Sequence, residues 1–326
     1  MRLGSVMVFF AVCGCSGGSA VDGGTGGSGG TGQFTYTFED RVYRVEARVG
    51  AMPENVSTRL NGFGMGARDR WLTPSVDGAW LVLSTDRISC SMGECLTVAP
   101  RDLSTLTLVA PGGTEVSLEG HAAINAAGDT IVYPSGGGPH TVDLWLTKKS
   151  GMTWQPATLL TGSSTAAFNN MPALSLDGQR VLFDCGTTRD AETGVTDACE
   201  VQLDGSGLRV VARPTTLANG RNTFVQFPHD SVDGVLFQGS WPIGAETPET
   251  IWLQGKSGAP TPIGSALTNA VSPCGLRDGR WGVLWLSRPG NTTGAHELSL
   301  MARDGGVLGA LTPGVDVQDI GIGCSD

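Results

Sequence analysis

The sequence predicts an all-β fold: a six-bladed β-propeller of four-stranded blades, closed by N- and C-terminal strands that share one blade. Three observations predict it, namely a turn-rich composition, a repeat of about 50 residues and chain ends that each supply part of a further repeat. Gly and Pro account for 49 and 17 of the 326 residues, while charged residues make up only 16%. Chains of this composition are usually all-β, and 40% hydrophobic residues are enough to form a buried core.

Five segments of the chain repeat the same order of turn and apolar runs. Their aligned turn glycines are Gly78, Gly128, Gly178, Gly234 and Gly279. Successive glycines are 50, 50, 56 and 45 residues apart, and each precedes two apolar runs separated by a loop, then a turn and a short last strand. Four strands in such a repeat match the size of a propeller blade. The Asp-Gly pairs predict a tight hairpin with positive φ between the first two strands.

The residues of the repeat follow one order: Ser-x-Asp-Gly, an apolar strand, a loop, a second apolar strand, a charged residue and Gly. In this order the repeat resembles the propeller repeat of TolB and related periplasmic proteins. The resemblance covers about residues 70–326 and implies a propeller that acts as a binding or scaffold module. The second repeat departs from the pattern, because Gly128-Asp129 replaces Asp-Gly. No N-terminal α/β domain of the kind that TolB carries is visible, so the resemblance is to the propeller alone and implies none of TolB's particular partners.

The two ends of the chain predict that the repeats close into a ring. Residues 317–326 resemble the first strand of a sixth repeat, whereas Gln33–Phe38 and residues 42–49 alternate like strands that lack a first strand of their own. One blade built from both ends would close residues 33–326 into six blades of about 49 residues, with the C-terminal strand innermost. Closure removes open sheet edges. A solenoid of the same units would need polar caps, and the sequence shows none.

The first 32 residues predict an export signal followed by a tether. Residues 1–14 combine a basic residue with a short apolar run, which is typical of a cleaved signal peptide. The run Val12-Cys13-Gly14-Cys15 resembles a bacterial lipobox, and this implies that Cys15 becomes the lipidated first residue. Residues 15–32 contain nine Gly and predict a flexible tether. Because Ser16 rather than Asp follows Cys15, the resemblance implies anchoring in the outer membrane, on its periplasmic or cell-surface face. An ordinary secretory signal is the alternative.

Six further cysteines predict three disulfide bonds, because an even number of cysteines in an exported chain usually pairs. They are Cys90, Cys95, Cys185, Cys199, Cys274 and Cys324. Many pairings exist in principle, but proximity favours Cys90–Cys95 and Cys185–Cys199, which leaves Cys274–Cys324. Metal binding is the competing interpretation. The sequence has no Cys-x-x-Cys among these cysteines and no His near them, so we expect no metal site.

Catalytic motifs are absent from the predicted strands. The one Gly-x-Ser-x-Gly, at residues 26–30, lies in the tether. The four histidines lie in different repeats without metal-ligand spacing, and we interpret them as surface or capping residues: His121, His140, His229 and His296. Four acidic residues near strand ends are candidates for a cation or a carboxylate pair at the channel: Asp230, Asp233, Asp316 and Asp319. We expect them to be turn residues and predict no cofactor.

Two classes of function remain open. The favoured class is non-catalytic: a lipid-anchored monomeric propeller that presents one face to an envelope protein, a cell-wall component or a small ligand. The alternative is an enzyme that uses the channel, such as a glycan hydrolase or lyase with acidic residues at the channel mouth. The net charge of −10 disfavours nucleic acid and anionic lipid headgroups as partners. We therefore expect contact with a membrane through the lipid anchor only.

Overall fold

The strands form six antiparallel sheets, and this arrangement confirms the predicted six-bladed β-propeller. The computed structural model describes residues 32–64, 68–118, 120–187, 196–213, 225–239, 250–264, 267, 269–286, 295–317 and 321–326. The predicted signal peptide, the lipidation residue Cys15 and the tether up to residue 31 lie outside these described residues. Within them, no helix combines the length and apolar character needed to span a bilayer.

Twenty-five strands and one short α-helix are described, in the following chain order. The first elements are β1 (Gln33–Phe38), β2 (Arg41–Glu46), β3 (Glu54–Asn55) and α1 (Val56–Leu60). Blade 1 contains β4 (Asp69–Pro74), β5 (Trp80–Thr85), β6 (Cys95–Pro100) and β7 (Thr107–Leu108). Blade 2 contains β8 (Ala123–Ile124), β9 (Thr130–Ser135), β10 (Asp143–Ser150), β11 (Thr153–Trp154) and β12 (Thr158–Leu159). Blade 3 contains β13 (Phe168–Leu174), β14 (Arg180–Gly186), β15 (Thr196–Gln202) and β16 (Arg209–Ala212).

The remaining strands complete the ring. Blade 4 contains β17 (Val225–Ser231), β18 (Gly234–Gly239), β19 (Thr250–Gln254) and β20 (Thr261–Pro262). Blade 5 contains β21 (Ala270–Gly275), β22 (Trp281–Trp285), β23 (Glu297–Met301) and β24 (Val307–Ala310). Blade 6 has the strand order β25-β1-β2-β3, in which β25 (Gly323–Ser325) is the last strand of the chain. Blade 2 differs because its outermost strand is divided into β11 and β12, which both pair with β10.

The middle strands of blade 5 are buried on both faces because neighbouring blades cover both faces. Every residue of β22 and β23 is buried, whereas the outermost strand β24 exposes about half of the Val307 and Leu308 side chains (49% and 48%). The core consists of clusters between adjacent blades. One of them joins Phe34 of blade 6 to Leu284 of blade 5. Each blade is therefore stabilised by its neighbours, as a repeat that cannot bury both faces alone requires.

In blades 1 and 3 the Ser-x-Asp-Gly motif forms a wider turn than the predicted tight hairpin, because five residues separate β4 from β5 and β13 from β14. In blade 4 only two residues separate β17 from β18, so the tight hairpin is present there. Gly78 takes the expected positive φ of 66°. The Asp contributes a side-chain acceptor instead: Asp77 accepts hydrogen bonds from the Ser75 hydroxyl (2.6 Å) and from the backbone N–H two residues on (3.1 Å). Ser175 and Asp177 repeat these contacts in blade 3 at 2.5 and 3.0 Å. The motif thus satisfies the polar groups of a turn.

Blade 2 shows why its sequence departs from this pattern. Asn125 occupies the position of the motif's Ser, and its carboxamide oxygen accepts hydrogen bonds from the backbone N–H groups of Asp129 and Thr130, both at 3.1 Å. Gly128 keeps a positive φ of 70°. An amide side chain at the start of the turn therefore replaces both the Ser and the Asp.

The chain ends close the ring as predicted. In blade 6, β25 pairs antiparallel with β1 and brings Phe34 opposite Cys324. The last residue connects both neighbouring blades, because the Asp326 N–H donates to the Val76 carbonyl at 2.8 Å and its carboxylate accepts the Arg277 N–H at 3.0 Å. Edge strands that would otherwise lie open at the two ends of the chain are thereby paired.

The three disulfides favoured by proximity are present. The Cα atoms are 6.4 Å apart in Cys90–Cys95, 5.9 Å apart in Cys185–Cys199 and 6.0 Å apart in Cys274–Cys324. The third bond joins the innermost strands of blades 5 and 6, β21 and β25, as the closure argument predicts.

Replacing Cys274 and Cys324 together with Ser should lower the melting temperature more than replacing Cys90 and Cys95 with Ser. On the chain-entropy model, a cross-link over the 50-residue separation is worth about 4 kcal/mol, against about 2 kcal/mol over the separation of 5. The longer cross-link also ties the one blade that is assembled from both chain ends. Thermal unfolding followed by circular dichroism measures both shifts, and equal shifts would contradict this role in closure.

Candidate functional site

A cavity lies where the innermost strands of the six blades converge. The space that the centre of a water-sized sphere can reach there is about 60 Å³, and the cavity is partly open to solvent. Each blade contributes to its lining, for example through Thr73, His121, Met171, Phe227, Ser272 and Cys324. Most of the other lining residues are Pro, Ala or larger aliphatic residues. We refer to this space as the axial cavity.

Four of the innermost strands have a bulge at the same position of the repeat, in β4, β13, β17 and β21. Trp71, Met171, Phe227 and Ser272 occupy the bulges with positive φ values of 50–53°. This conformation is uncommon for residues other than Gly. In three of the strands the next residue is Pro, which lacks an N–H and is accommodated in a sheet at a bulge. Three of the four bulged residues line the axial cavity.

Side chains from the preceding blade hold two of these bulges in place. The Phe227 N–H donates a hydrogen bond to the Asp184 carboxyl group at 2.8 Å. The Ser272 N–H donates to the side-chain oxygen of Gln238 at 3.2 Å. Asp184 and Gln238 occupy equivalent positions, each directly after the Val-Leu-Phe run of its own blade. The second strand of one blade therefore fixes the cavity-lining backbone of the next.

The acceptor differs between the two contacts in its ability to ionise. Asp184 is only 4% exposed. Burial raises the pKa of its carboxyl group well above the usual range, although the hydrogen bond from Phe227 acts in the opposite direction. Gln238 makes the equivalent contact without a titratable group. At neutral pH, ionisation of the buried Asp184 therefore lowers the free energy of unfolding, whereas Gln238 in blade 4 has no such effect.

His121 lies in the wall of the axial cavity, with one ring nitrogen that has no hydrogen-bond partner among the described residues. Its Nδ1 is 3.2 Å from the Thr73 hydroxyl, whereas its buried Nε2 makes no hydrogen bond. A Cβ atom at Gly321 would lie only 2.2 Å from this Nε2, so the ring fits because that residue is Gly. Burial lowers the pKa of His121 to about 4, and the imidazole is neutral at pH 7. The Ser272 hydroxyl in the same wall is also buried without a partner.

His229 lies beside the Cys274–Cys324 disulfide, contrary to the sequence-based expectation that no His is near these cysteines. Its Nε2 is 3.2 Å from the Cys274 Sγ, and its Nδ1 is 3.4 Å from the Asp230 carbonyl oxygen. Burial lowers the pKa of His229. The two residues are 45 positions apart in sequence but meet because β17 and β21 are innermost strands of adjacent blades.

The interpretation of all four histidines as surface or capping residues is thus wrong for two of them. His140 and His296 contact carboxylates outside the axial cavity, at 2.7 Å from Asp143 and 3.6 Å from Asp316. His121 and His229 lie seven and five residues before the turn glycines of their repeats. The repeat alignment could have identified them, because His229 falls on the innermost strand of its blade and His121 lies two residues before β8.

The candidate acidic residues do not gather at the axial cavity. The described residues that line it include no Asp or Glu. Asp230 instead accepts a hydrogen bond from the Leu176 N–H at 2.9 Å, and Asp233 pairs with Arg303. Asp316 accepts a hydrogen bond from the His296 N–H at 2.8 Å, and Asp319 lies outside the described residues. The three described acidic residues are therefore engaged in contacts within and between blades.

No family model matches the sequence, and no curated protein is similar to it in sequence. The fold is similar to that of TolB from Acinetobacter baumannii, with a TM-score of 0.60 and 13% identity over 90% of this chain and 66% of TolB. This chain therefore spans slightly less than two thirds of that TolB. The similarity confirms a TolB-like propeller.

Two further solved structures are similar in fold. A chain of a nidogen/laminin complex has a TM-score of 0.57 and 8% identity, with 90% of this chain and 98% of that chain covered. Puromycin hydrolase has a TM-score of 0.51 and 13% identity, with 86% and 42% covered. At these identities, the comparisons show the shared fold alone, because propellers carry many unrelated functions.

Replacing Asp184 with Asn should raise the melting temperature by a few degrees at pH 7–8 and leave it nearly unchanged near pH 4. The amide keeps an acceptor for the Phe227 N–H and removes the ionisation. Because the folded-state pKa of Asp184 is raised, its contribution to stability is fully present below the unfolded-state pKa and is lost as the pH rises through the folded-state value. Thermal unfolding across this pH range measures the effect.

The reciprocal variant, Gln238→Glu, is the matched control for Asp184→Asn. It places a carboxyl group at the equivalent position in blade 4, so it should destabilise the protein at pH 7–8 and much less at pH 4. If Asp184→Asn and the wild type had the same melting temperature at every pH, the ionised Asp184 carboxylate would not destabilise the protein, and the prediction would be wrong.

Proposed function

We propose that the protein is a non-catalytic envelope lipoprotein whose propeller binds a ligand in the axial cavity. The observation that carries this proposal is the mixed character of the cavity wall. It is largely apolar, yet it contains two buried polar atoms, the His121 Nε2 and the Ser272 Oγ, that find no partner in the described part of the chain. Pockets for small molecules, or for a protruding segment of a partner, combine apolar walls with a few such polar groups.

Two features of the wall support binding rather than a purely structural role: unpartnered polar atoms and backbone in an uncommon conformation. Unpartnered buried polar atoms cost free energy in the empty protein. Here they lie beside backbone held in an uncommon conformation by inter-blade hydrogen bonds to Phe227 and Ser272. Strained backbone clusters at ligand sites. A ligand that hydrogen-bonds to His121 and Ser272 would recover part of this cost.

The alternative is an enzyme that acts at the channel. Puromycin hydrolase shares the fold, but this chain spans only 42% of its length. A glycan hydrolase needs two carboxyl groups on either side of the scissile bond, and the described lining of the axial cavity contains none. The wall chemistry therefore favours binding over hydrolysis.

Filling the axial cavity should abolish ligand binding. Ala173 lines the cavity on β13, and replacing it with Phe would occupy the space without adding a charge. We expect native mass spectrometry, after incubation with a small-molecule extract of the cell envelope, to detect a bound species on the wild type and none on Ala173→Phe.

The matched control is Met152→Phe, because Met152 is 91% exposed and does not line the cavity. This variant should keep the bound species. Equal binding by Ala173→Phe and the wild type would contradict the axial site. Release of soluble fragments from purified peptidoglycan by the wild type would favour the enzyme instead.

We also propose that Cys15 carries the lipid that anchors the propeller to the outer membrane. The support is the lipobox-like run that ends at Cys15 and the Gly-rich tether that follows it. The fold similarity to TolB is consistent with an envelope location.

Replacing Cys15 with Ala should move the protein from the membrane fraction to the soluble fraction of the cell envelope. The propeller should keep its melting temperature, since Cys15 precedes the first strand by 18 residues. Fractionation with immunodetection measures the distribution. Continued sedimentation of Cys15→Ala with membranes would contradict lipid anchoring through this residue.

A further inference from the structure

Three successive blades each place one metal-ligating group at one point beside the axial cavity, and two of these residues, His229 and Cys324, line the cavity. His229 comes from blade 4, Cys274 from blade 5 and Cys324 from blade 6. Their ligand atoms, Nε2 and two Sγ, all lie within 4.8 Å of one another. A disulfide bond that only cross-links two strands does not require a neighbouring imidazole. The grouping therefore has the composition of a site with two thiolates and one imidazole, which is a familiar set for zinc.

We propose that reduction of the Cys274–Cys324 disulfide converts this cluster into a binding site for a thiophilic cation of the zinc class. The two thiolates and the His229 Nε2 supply three ligands. Because His229 and Cys324 line the axial cavity, water or a donor atom of a bound molecule would complete a tetrahedral set from that side. The oxidised and the metal-bound states exclude each other, because the same two sulfur atoms serve both.

The orientation of His229 suits this role. Its Nδ1 is 3.4 Å from the Asp230 carbonyl oxygen, so the Nδ1–H points to the backbone and the Nε2 lone pair points to the sulfur atoms. Ligating histidines are typically oriented in this way by an acceptor at the second ring nitrogen. The approach of the two blades also depends on Gly275, where a Cβ atom would lie only 2.6 Å from the Asp230 carbonyl oxygen.

The backbone needs little change to accept an ion. The Cα atoms of Cys274 and Cys324 are 6.0 Å apart. Two sulfur atoms bound to one tetrahedral ion at about 2.3 Å each are about 3.7 Å apart. Rotation of the two side chains supplies that separation. Cys324 lines the cavity and His229 is partly exposed, so an ion reaches the site from the cavity.

The conversion requires an external two-electron reductant, and a dithiol is the class that we expect in the cell envelope. Its two thiols reduce the disulfide through a mixed-disulfide intermediate, and the reductant becomes a disulfide while Cys274 and Cys324 become thiols. Binding of the cation then displaces one proton from each thiol to solvent. When the cation is removed, a partner disulfide oxidises the two thiols, re-forms the Cys274–Cys324 bond and itself becomes a dithiol.

A second group of similar composition provides an internal comparison. Cys90, Cys95 and Glu115 also come within 4.8 Å of one another. The Glu115 carboxylate, however, already accepts hydrogen bonds from the N–H (2.7 Å) and the hydroxyl of Ser91, and no imidazole belongs to the group. We therefore expect binding at the axial cluster and not at this one.

Cobalt titration of the full-length Cys15→Ala protein, reduced anaerobically with a phosphine, tests the proposal. One Co²⁺ should bind per chain, with thiolate-to-cobalt charge-transfer bands and visible bands typical of tetrahedral coordination, and Zn²⁺ should displace it. The unreduced protein should show no such bands. Added Zn²⁺ should also block re-formation of Cys274–Cys324 on exposure to disulfide, as mapped by mass spectrometry, while the other two disulfides re-form.

Variants in the same background separate the ligands from their neighbours. Cys274→Ser with Cys324→Ser should abolish the charge-transfer bands, and His229→Ala should raise the dissociation constant for Co²⁺ at least tenfold. His296→Ala, outside the axial cavity, and Cys90→Ser with Cys95→Ser should leave it unchanged. Unaltered binding in His229→Ala would overturn the proposal. A reduced wild type that is unfolded with and without Zn²⁺ would also overturn it, because the ligands come from three different blades.

Discussion

Pairing of the last three-residue strand with the first strand is the constraint on which the rest of the structure depends. In blade 6, β25 supplies the innermost strand and β1 to β3 supply the others, so this blade exists only when the two chain ends meet. Strand pairing, the Cys274–Cys324 disulfide and the contacts of Asp326 with Val76 and Arg277 all act at this place. Without it, blades 1 and 5 would each expose an apolar face, and the axial cavity would lose one of its six walls.

Closure of the ring also determines which groups line the axial cavity. Innermost strands of adjacent blades approach closely enough for a side chain of one blade to bond to the backbone of the next, as Asp184 does to Phe227 and Gln238 does to Ser272. These contacts hold bulged backbone whose neighbours line the cavity. Stability and site geometry therefore depend on the same bonds, and a change that relaxes a bulge would alter the wall of the cavity.

One position of the repeat carries different residue types around the ring. At the position five residues before the turn glycine, blades 2 and 3 carry Ala123 and Ala173, whereas blades 4 and 5 carry His229 and Cys274. A repeat fold allows different residue types at this position, because the side chain there has only to fit the space between the converging strands. Residue types that are unnecessary for packing can therefore gather on one side of the axis.

Much of the fold was determined by the sequence alone. Turn glycines at regular spacing, paired apolar runs and incomplete repeats at both ends define a closed ring, because a blade can bury its faces only against neighbours of the same kind. Proximity and the closure argument also identified the three disulfides. What only the tertiary structure decided was the site. His229 and the Cys274–Cys324 pair are far apart in sequence and become neighbours because strands of different blades converge on one axis. Asp230 follows His229 directly but contacts Leu176 instead, since successive side chains of a strand point to opposite faces.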